Sequence, residues 1–295
     1  TREIRAGNFS GLPVTIYDPA TGNPDGTGRV PFTGNIIPPA RISAIANRIQ
    51  EKAPLPNLPG VSLGTLSNYF NSGTEKLNRH NYDVKANWNP RTQLAIWGKY
   101  SRMDAPVNSV FALGEVGGAG LSRAGVGTGD TKVNIATFGY TWMASPAFII
   151  DGTFAYTRFD QSVVGPDHGK NIGSEVWGIP GSNDPIVTGP GAEQVKKACP
   201  TTGCYSGMPM LYHGFSAWGN IYGWQPLFRK ERAFTYTTNS SRVRGPHELR
   251  WGFDLVRYHL DHWQPEISNG PRGYIDFSGN VTGTPGYTAT YLNQY

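Results

Sequence analysis

Apolar and polar residues alternate through residues 78–103 in two runs. In the first run the apolar positions are Tyr82, Val84, Ala86 and Trp88, and the polar positions between them are Asn81, Asp83, Lys85 and Asn87. In the second run Leu94, Ile96, Gly98 and Tyr100 alternate with Gln93, Ala95, Trp97 and Lys99. Successive side chains of a strand point to opposite faces, so this period predicts an antiparallel hairpin with one apolar and one polar face. The turn is predicted at Asn89-Pro90-Arg91-Thr92.

Two further hairpins follow the same plan. The second pairs residues 132–142 with 148–160, and the third pairs residues 230–243 with 249–263. Each hairpin has long strands and a turn of four or five residues that contains a proline (Pro90, Pro146 and Pro246). The connections between hairpins, at about 104–130 and 161–229, are long and rich in glycine and proline.

This pattern is compatible with a soluble sheet whose polar face meets water, or with an outer-membrane barrel whose apolar face meets lipid. Short turns at one end and long connections at the other favour the barrel, because a structureless connection near 70 residues is unusual in a soluble sandwich. Aromatic residues also gather at strand ends, as in interfacial girdles. We therefore predict an all-β protein, an antiparallel up-and-down transmembrane β-barrel fragment with long external loops.

The chain divides into three predicted regions. Residues 1–75 are turn-rich with one short helix, where Ile42, Ile45 and Ile49 lie at helical spacing. Residues 76–263 form a barrel segment of about six strands, and residues 264–295 are an external loop or the start of a next strand, with a short strand near Tyr274. The chain starts at Thr1 without a signal peptide and ends without a cap signal, so we expect a piece of a longer protein whose isolated sheet would leave two open edges.

Composition agrees with a β-rich chain and excludes several function classes. Charged residues make up only 16%, while 38 glycines and 23 prolines suit strands and long loops. The net charge of +5 is scattered, and no basic run indicates nucleic acid binding. No G-x-S-x-G, phosphate-loop or H-E-x-x-H motif is present, so we expect no enzyme activity and no cofactor.

Several residues with ligand-type side chains have structural explanations. His259 and His262 lie three apart on a predicted strand and so on opposite faces, which disfavours a shared metal. Asp18, Asn23 and Asp25 are expected to form Asx-turns rather than a calcium site. Residues 114–129 are predicted to form a flexible external loop, since they lack the Lys-Ser/Thr of a nucleotide loop.

The candidate ligand-binding residues are the aromatic side chains of the longest connection: Trp177, Trp218, Tyr222 and Trp224. They are able to stack on a sugar or anchor a peptide, or else to form a small core of the loop itself. The polar face of the strands carries charges of both signs, at Asp83, Lys85, Lys99, Asp151, Arg250 and Asp254. Cross-strand ion pairs or contact with a plug would each explain these charges.

The first 60 residues resemble a known family. Residues 5–12 read Arg-Ala-Gly-Asn-Phe-Ser-Gly-Leu, residues 16–22 read Ile-Tyr-Asp-Pro-Ala-Thr-Gly, and residues 31–38 read Pro-Phe-Thr-Gly-Asn-Ile-Ile-Pro. These stretches, with Pro54-Leu-Pro-Asn57, are similar to the barrel region that follows the plug in Oar-like TonB-dependent receptors. Residues 81–83 and the Arg250-Trp-Gly-Phe-Asp254 strand resemble later barrel segments. Asn8 stands where the family pattern has Asp, and residues 25–28 look like an insertion.

The resemblance implies part of a TonB-dependent receptor in the bacterial outer membrane. External loops would capture a ligand, and a plug moved by the inner-membrane energy-coupling complex would let it pass. The complex would touch an N-terminal region absent from this sequence, and lipid and an unidentified ligand would be the other partners. The alternative is a secreted or surface-attached β-rich binding or adhesion protein.

Cys199 and Cys204 enclose Pro-Thr-Thr-Gly in a polar loop, and we predict that they form a disulfide. Mass spectrometry of the non-reduced protein should find the tryptic peptide that contains both cysteines two hydrogen atoms lighter than its reduced form. Two alkylatable thiols in protein taken from an oxidising compartment would contradict this prediction.

Overall fold

The computed structural model describes residues 1–121, 125–183, 203–212, 217–265, 272–277 and 282–283. The α-helices are α1, Arg2–Arg5, and α2, Ala44–Lys52; three short 3-10 helices span Thr33–Asn35, Pro39–Arg41 and Gly114–Val116, and a π-helix spans Ile172–Trp177. The strands are β1 Lys76–Leu77, β2 His80–Arg91, β3 Leu94–Ser109, β4 Gly117–Gly118, β5 Gly127–Ser145, β6 Phe148–Val164, β7 Met210–Tyr212, β8 Ala217–Asn220, β9 Leu227–Arg244, β10 His247–Trp263 and β11 Tyr274–Asp276. No helix within these ranges has both the length and the apolar character needed to cross a membrane.

Six long strands form one antiparallel sheet in the order β2, β3, β5, β6, β9, β10, with the short β1 beside the end of β3. Neighbours in the chain are neighbours in the sheet, which is the up-and-down arrangement expected from the three hairpins. All three tight turns lie at one end of the sheet, and all long connections lie at the other. The chain is therefore all-β with its non-strand residues concentrated at one end.

The register places the predicted apolar positions on one face. Ile96 lies opposite Trp88 on one side and Tyr140 on the other, and the same row continues to Phe253. The described residues leave this face uncovered: Val84 is 68% exposed, Phe253 57% and Phe138 48%. An apolar face of this extent needs an apolar environment, which lipid supplies.

The height of the apolar band agrees with a membrane. On β6 the band runs from Phe148 to Tyr156, eight positions apart, which is about 27 Å along a strand at about 3.4 Å per residue. With a tilt of about 40° it spans about 20 Å along the membrane normal, near the roughly 25 Å of outer-membrane barrels.

Strand ends differ from the sequence prediction. The first turn is not at residues 89–92, because β2 continues to Arg91 and the tight turn is at residues 92–93. The register of β2 against β3 shifts between Trp88 and Arg91, where Pro90 lies. The long connections are shorter than the predicted 104–130 and 161–229, because β3 extends to Ser109, β5 starts at Gly127, and β6 and β9 reach Val164 and Leu227. Pairing with a neighbour keeps these residues extended although their own pattern is weak.

The residues beyond the long-connection end form a folded body that we call the cap: residues 1–75, 110–121, 165–183, 203–212, 217–226 and 272–277 within the described ranges. Its second sheet has the order β11, β7, β8, β4. The predicted flexible glycine loop is folded here, since β4 pairs with β8 where Gly117 faces Gly219. Both glycines have positive φ, and a Cβ on Gly117 would lie only 2.4 Å from the Gly219 carbonyl oxygen. Only glycine permits this approach.

Two small apolar clusters hold the cap together. In the first, Phe9, Val14 and Ile16 pack with partly buried neighbours. Asn35 seals it by accepting from the Ile16 N–H at 2.8 Å and donating to the carbonyls of Phe9 at 2.8 Å and Val14 at 2.7 Å. The second cluster joins α2 to the small sheet through Ile49, Ala53, Val116, Trp177, Ile179, Met208 and Leu211.

A buried polar cluster supplements these small cores. Asp167 accepts from the Met208 N–H at 2.7 Å and from the Asn220 amide at 3.1 Å. Arg272, 3% exposed, donates to the Gln225 carbonyl at 2.8 Å. Burial lowers the pKa of Arg272 to about 10, and the negative charge of Asp167 opposes this shift. These hydrogen bonds thus fix four chain segments to each other.

Arginine substitutions should distinguish the two faces of the sheet. Ile96→Arg and Phe253→Arg place a charge in the apolar band, and we expect each to cost about 2–4 kcal/mol of folding free energy in bilayers. Ala95→Arg and Thr153→Arg place the same charge on the opposite face and should cost much less. The measurement is a folding titration of the full-length protein into vesicles.

Nitroxide or fluorophore labels on the two faces of the sheet provide a second measurement of which face meets lipid. Lipid-soluble quenchers should reach labels at positions 96, 150 and 253 and spare labels at 95, 153 and 252. Equal quenching of both sets would contradict the assignment of the faces.

Removal of the Asp167 carboxylate should loosen the cap. Asp167→Ala leaves the buried Met208 N–H without its acceptor and removes the negative charge near Arg272, and we expect a loss of roughly 1–3 kcal/mol in cap stability. Asp167→Asn keeps an acceptor for Met208 and should cost less. Limited proteolysis of the membrane-inserted protein would measure the change, with the exposed Asp276→Ala as control; equal cleavage of all three variants would show that Asp167 does not hold the cap.

Candidate functional site

An open groove of about 750 Å³ lies in the cap. One wall is the N-terminal segment with α2, a second is the segment 65–71, and the floor is the loop 112–121 with β8. The apolar side chains that line it include Ile42, Leu66, Phe70, Leu113, Trp218 and Phe277. A second depression of about 740 Å³ lies at the tight-turn end between Arg91 and Trp142, away from the cap.

Arg5 fixes the first wall. The Thr1 hydroxyl accepts from the Ile4 N–H and so begins helix α1, which directs the Arg5 side chain towards α2. Its guanidinium donates to the carbonyls of Gln50 and Pro54, both at 2.7 Å. Burial, with a smaller contribution from Arg2, lowers the pKa of Arg5. The charge of Arg5 is therefore directed at backbone carbonyls at and just beyond the C-terminal end of α2.

Arg41, a second arginine of the lining, is also engaged. It forms a two-point ion pair with Asp18, with distances of 2.6 and 3.0 Å, and lies over the Phe32 ring at 5.6 Å. Hydrogen bonds in this pair raise the pKa of Arg41 and lower that of Asp18. The groove consequently offers a ligand mainly apolar and amide contacts rather than these two charges.

Asn57 and Asn71 shape the second wall. Asn57 bonds the Phe70 backbone in both directions, accepting its N–H at 2.8 Å and donating to its carbonyl at 2.7 Å. Asn71 donates to the Ala112 carbonyl at 2.7 Å and ties the segment to the floor. These bonds hold Phe70, which is 64% exposed, along the groove.

The groove suits an apolar or aromatic group with polar ends. Pockets for small ligands are concave and mostly apolar, with a few polar groups that set orientation, and the amides of Gln50, Asn68 and Asn71 provide such groups here. Within the described ranges, no three side chains of the types that commonly hold a metal come together. The arrangement is that of a binding site.

The predicted aromatic set is split by the fold. Trp218 on β8 lines the groove and lies opposite Leu211 in the register. Trp177 is 3% exposed within the α2 cluster. Tyr222 accepts from the Gly120 N–H at 2.9 Å, and its ring meets Trp224 edge-on at 6.3 Å. For Trp177, Tyr222 and Trp224 the positions match the alternative of a core of the loop itself.

The other predicted residues occupy separate places. Cys204 is fully buried and disulfide-bonded, while Cys199 lies outside the described residues, so their pairing stays a prediction. The Asx-turns expected near the N-terminus are formed at Asp18 with Ala20 and at Asp25 with Thr27. His259 and His262 lie on opposite faces of β10.

On the polar face of the sheet, charges pair across and along strands. Lys99 contacts Asp83 at 3.0 Å, and Arg250 contacts Glu248 at 2.7 Å. Lys85 lies 5.0 Å above the Trp97 ring, which occupies the space that Gly139 leaves opposite it. Asp151 accepts from Asn239 at 3.1 Å. Contact of this face with a plug stays a prediction.

Most groove residues could not be predicted from the sequence. Phe70, Leu113 and Leu121 lie in segments that read as irregular loops, Phe277 lies at the end of a predicted short strand, and only the tertiary structure brings them together. The one usable signal is the aromatic pair Tyr69-Phe70 in an otherwise small and polar stretch, because an aromatic residue in a loop often marks a binding site.

The wall residues come from the stretches quoted above: Arg5, Gly7, Phe9 and Ile37 line the groove, and Asn35 orders the segment behind them. No curated protein matches the chain. The family model described as "Outer membrane beta barrel domain" matches residues 1–295. The protein is therefore located in the bacterial outer membrane, and the chain belongs to the outer membrane beta-barrel domain family.

Proposed function

We propose that this chain is part of an Oar-like TonB-dependent receptor, which captures a ligand in the cap groove and passes it through a plugged barrel. The observation that carries the proposal is the open apolar groove at the long-connection end, with walls fixed by side-chain bonds to backbone. Its wall contains the residues that resemble the Oar-like receptors. In outer-membrane barrels the long connections face outwards, where a ligand arrives.

The groove favours a ligand with an apolar or aromatic part. Trp218, Phe277 and Leu113 supply the floor, and the neighbouring amides would orient polar ends of the ligand. The preformed walls reduce the ordering cost of binding, which favours capture from dilute solution.

Passage through the membrane is proposed to follow the polar face of the sheet. The hydroxyl and charged groups there suit a wet lumen and the surface of a plug, whose movement the energy-coupling complex would drive. No chemical step is proposed for the ligand, and nucleic acid is not proposed as a partner. A surface-attached adhesion protein would use the same groove without energised transport.

Binding to the energy-coupling protein distinguishes a receptor from an adhesion protein. The full-length membrane protein should bind the purified periplasmic domain of the energy-coupling protein in calorimetry, and the sequence upstream should encode a plug. No binding, together with an upstream sequence that lacks a plug, would contradict the receptor and leave the adhesion protein.

Trp218→Ala tests the groove. With a dansyl-labelled Leu-Phe-Leu peptide as probe, we expect roughly tenfold or greater loss of affinity in fluorescence anisotropy, since burying one large apolar side chain contributes about 1.5–3 kcal/mol. Trp224→Ala, a half-buried tryptophan outside the lining, should bind the peptide within about twofold of the unmodified protein. Equal affinities for all three proteins would show that the groove is not the site.

A further inference from the structure

The apolar face of the long sheet ends in a row that contains three arginines. Two positions beyond Tyr156, β6 carries Arg158, which lies directly opposite Arg232 on β9; Arg232 in turn lies opposite His259 on β10. The same row continues through Asn134 on β5 to Arg102 on β3. All five side chains point to the face that carries the apolar band, and both central arginines are exposed.

Arg158 and Arg232 form an unfavourable pair unless an anion lies between them. Directly opposed residues of antiparallel strands have Cβ atoms about 4.5–5.5 Å apart, and like charges at such positions destabilise the sheet. Arg158 is compensated by Asp160 at 2.7 Å, and Arg102 by Asp104 at 2.8 Å. The Arg232 side chain has no ion pair or hydrogen bond with any residue in the described ranges.

Nearby carboxylates do not remove the positive excess. The next row away from the apolar band alternates in sign through Asp104, Lys132, Asp160, Lys230 and Asp261. Lys132 pairs with Asp130 at 2.6 Å, whereas Lys230 has no ion pair within the described ranges. Arg257 lies one row nearer the apolar band, opposite Phe234. The surface around Arg232 thus combines Arg158, Lys230, Arg257 and His259.

The depth of the Arg158–Arg232 row in the membrane indicates which anion it binds. The row starts where the apolar band ends, at the long-connection end of the strands, which is the outer-leaflet headgroup level of an outer-membrane barrel. The planar guanidinium of arginine is able to donate two parallel hydrogen bonds to two oxygens of a phosphate group. We propose that the Arg158–Arg232 surface binds the phosphate of an outer-leaflet glycolipid headgroup. This role is independent of whether the protein transports a ligand.

The test uses the intact protein in nanodiscs of phosphatidylcholine that contain a small fraction of bis-phosphorylated glucosamine-disaccharide lipid. Native mass spectrometry counts the glycolipids that remain bound. The wild type should retain the phosphorylated lipid, and R158Q/R232Q should bind it at least tenfold more weakly, because two charge-assisted contacts are lost.

Arg242→Gln is the matched control. Arg242 lies on the same strand and face as Arg232, ten positions away at the tight-turn end, and so at the opposite leaflet. It should bind the phosphorylated lipid within about twofold of the wild type. Arg232→Lys keeps the charge and should retain part of the binding, which separates a phosphate contact from a folding defect.

Four results would overturn the proposal. If the same glycolipid without phosphates binds equally well, its acyl chains alone determine the binding. Unchanged binding by R158Q/R232Q, or an equal loss in Arg242→Gln, would show that this surface is not specific. Displacement of the lipid by millimolar inorganic phosphate would indicate a site for free anions instead.

Discussion

The whole structure depends on the continuous hydrogen-bonded ladder of the six long strands. In lipid a strand has no water to satisfy its backbone groups, so every central strand must be paired along its full length. β3, β5, β6 and β9 meet this requirement on both sides over the apolar band. Once the pairing of the strands is fixed, the alternation of side chains determines the polarity of the two faces. The face towards lipid must be apolar, and the opposite face is free to carry charge.

The same ladder supports the cap. β5 and β6 continue past the charged rows to Gly127 and Val164, and the cap is attached just beyond these ends. Gln225 donates to the Val126 carbonyl at 2.7 Å, and Ser109 donates to the Gly125 carbonyl at 2.6 Å. These hydrogen bonds attach the irregular backbone of the cap to the ends of the long strands. Since the cap has only two small apolar clusters, side chains such as Asn35 and Asp167 replace the regular backbone ladder there.

Period-two alternation was sufficient to predict the faces, because it is a local property. Ile96, Ile150 and Phe253 lie where the pattern places them, and helix α2 contains two of the three isoleucines at helical spacing. The strand ends were missed, since β3 remains extended through Pro106 only because β5 pairs with it opposite Asp130. The groove was missed for the same reason on a larger scale: tertiary packing places Phe70 and Trp218 along one groove, and no spacing in the chain encodes this arrangement. Composition also could not show that Trp218 lines the groove whereas Trp177 is buried.

The walls of the groove are held very differently, and this matters for a receptor that must also release its ligand. α2 is fixed by the buried cluster around Ile49 and by the hydrogen bonds of Arg5 and Arg48, the latter to the Trp177 carbonyl at 2.9 Å. The segment 65–71 bonds mostly within residues 57–71, and in the described ranges its hydrogen-bond link to the rest of the cap is Asn71 to Ala112. Local opening follows the region with fewest buried contacts and fewest bonds to its surroundings. If the groove widens to release a ligand, the wall that contains Phe70 is therefore the part expected to move, while α2 and the floor at Trp218 keep their positions.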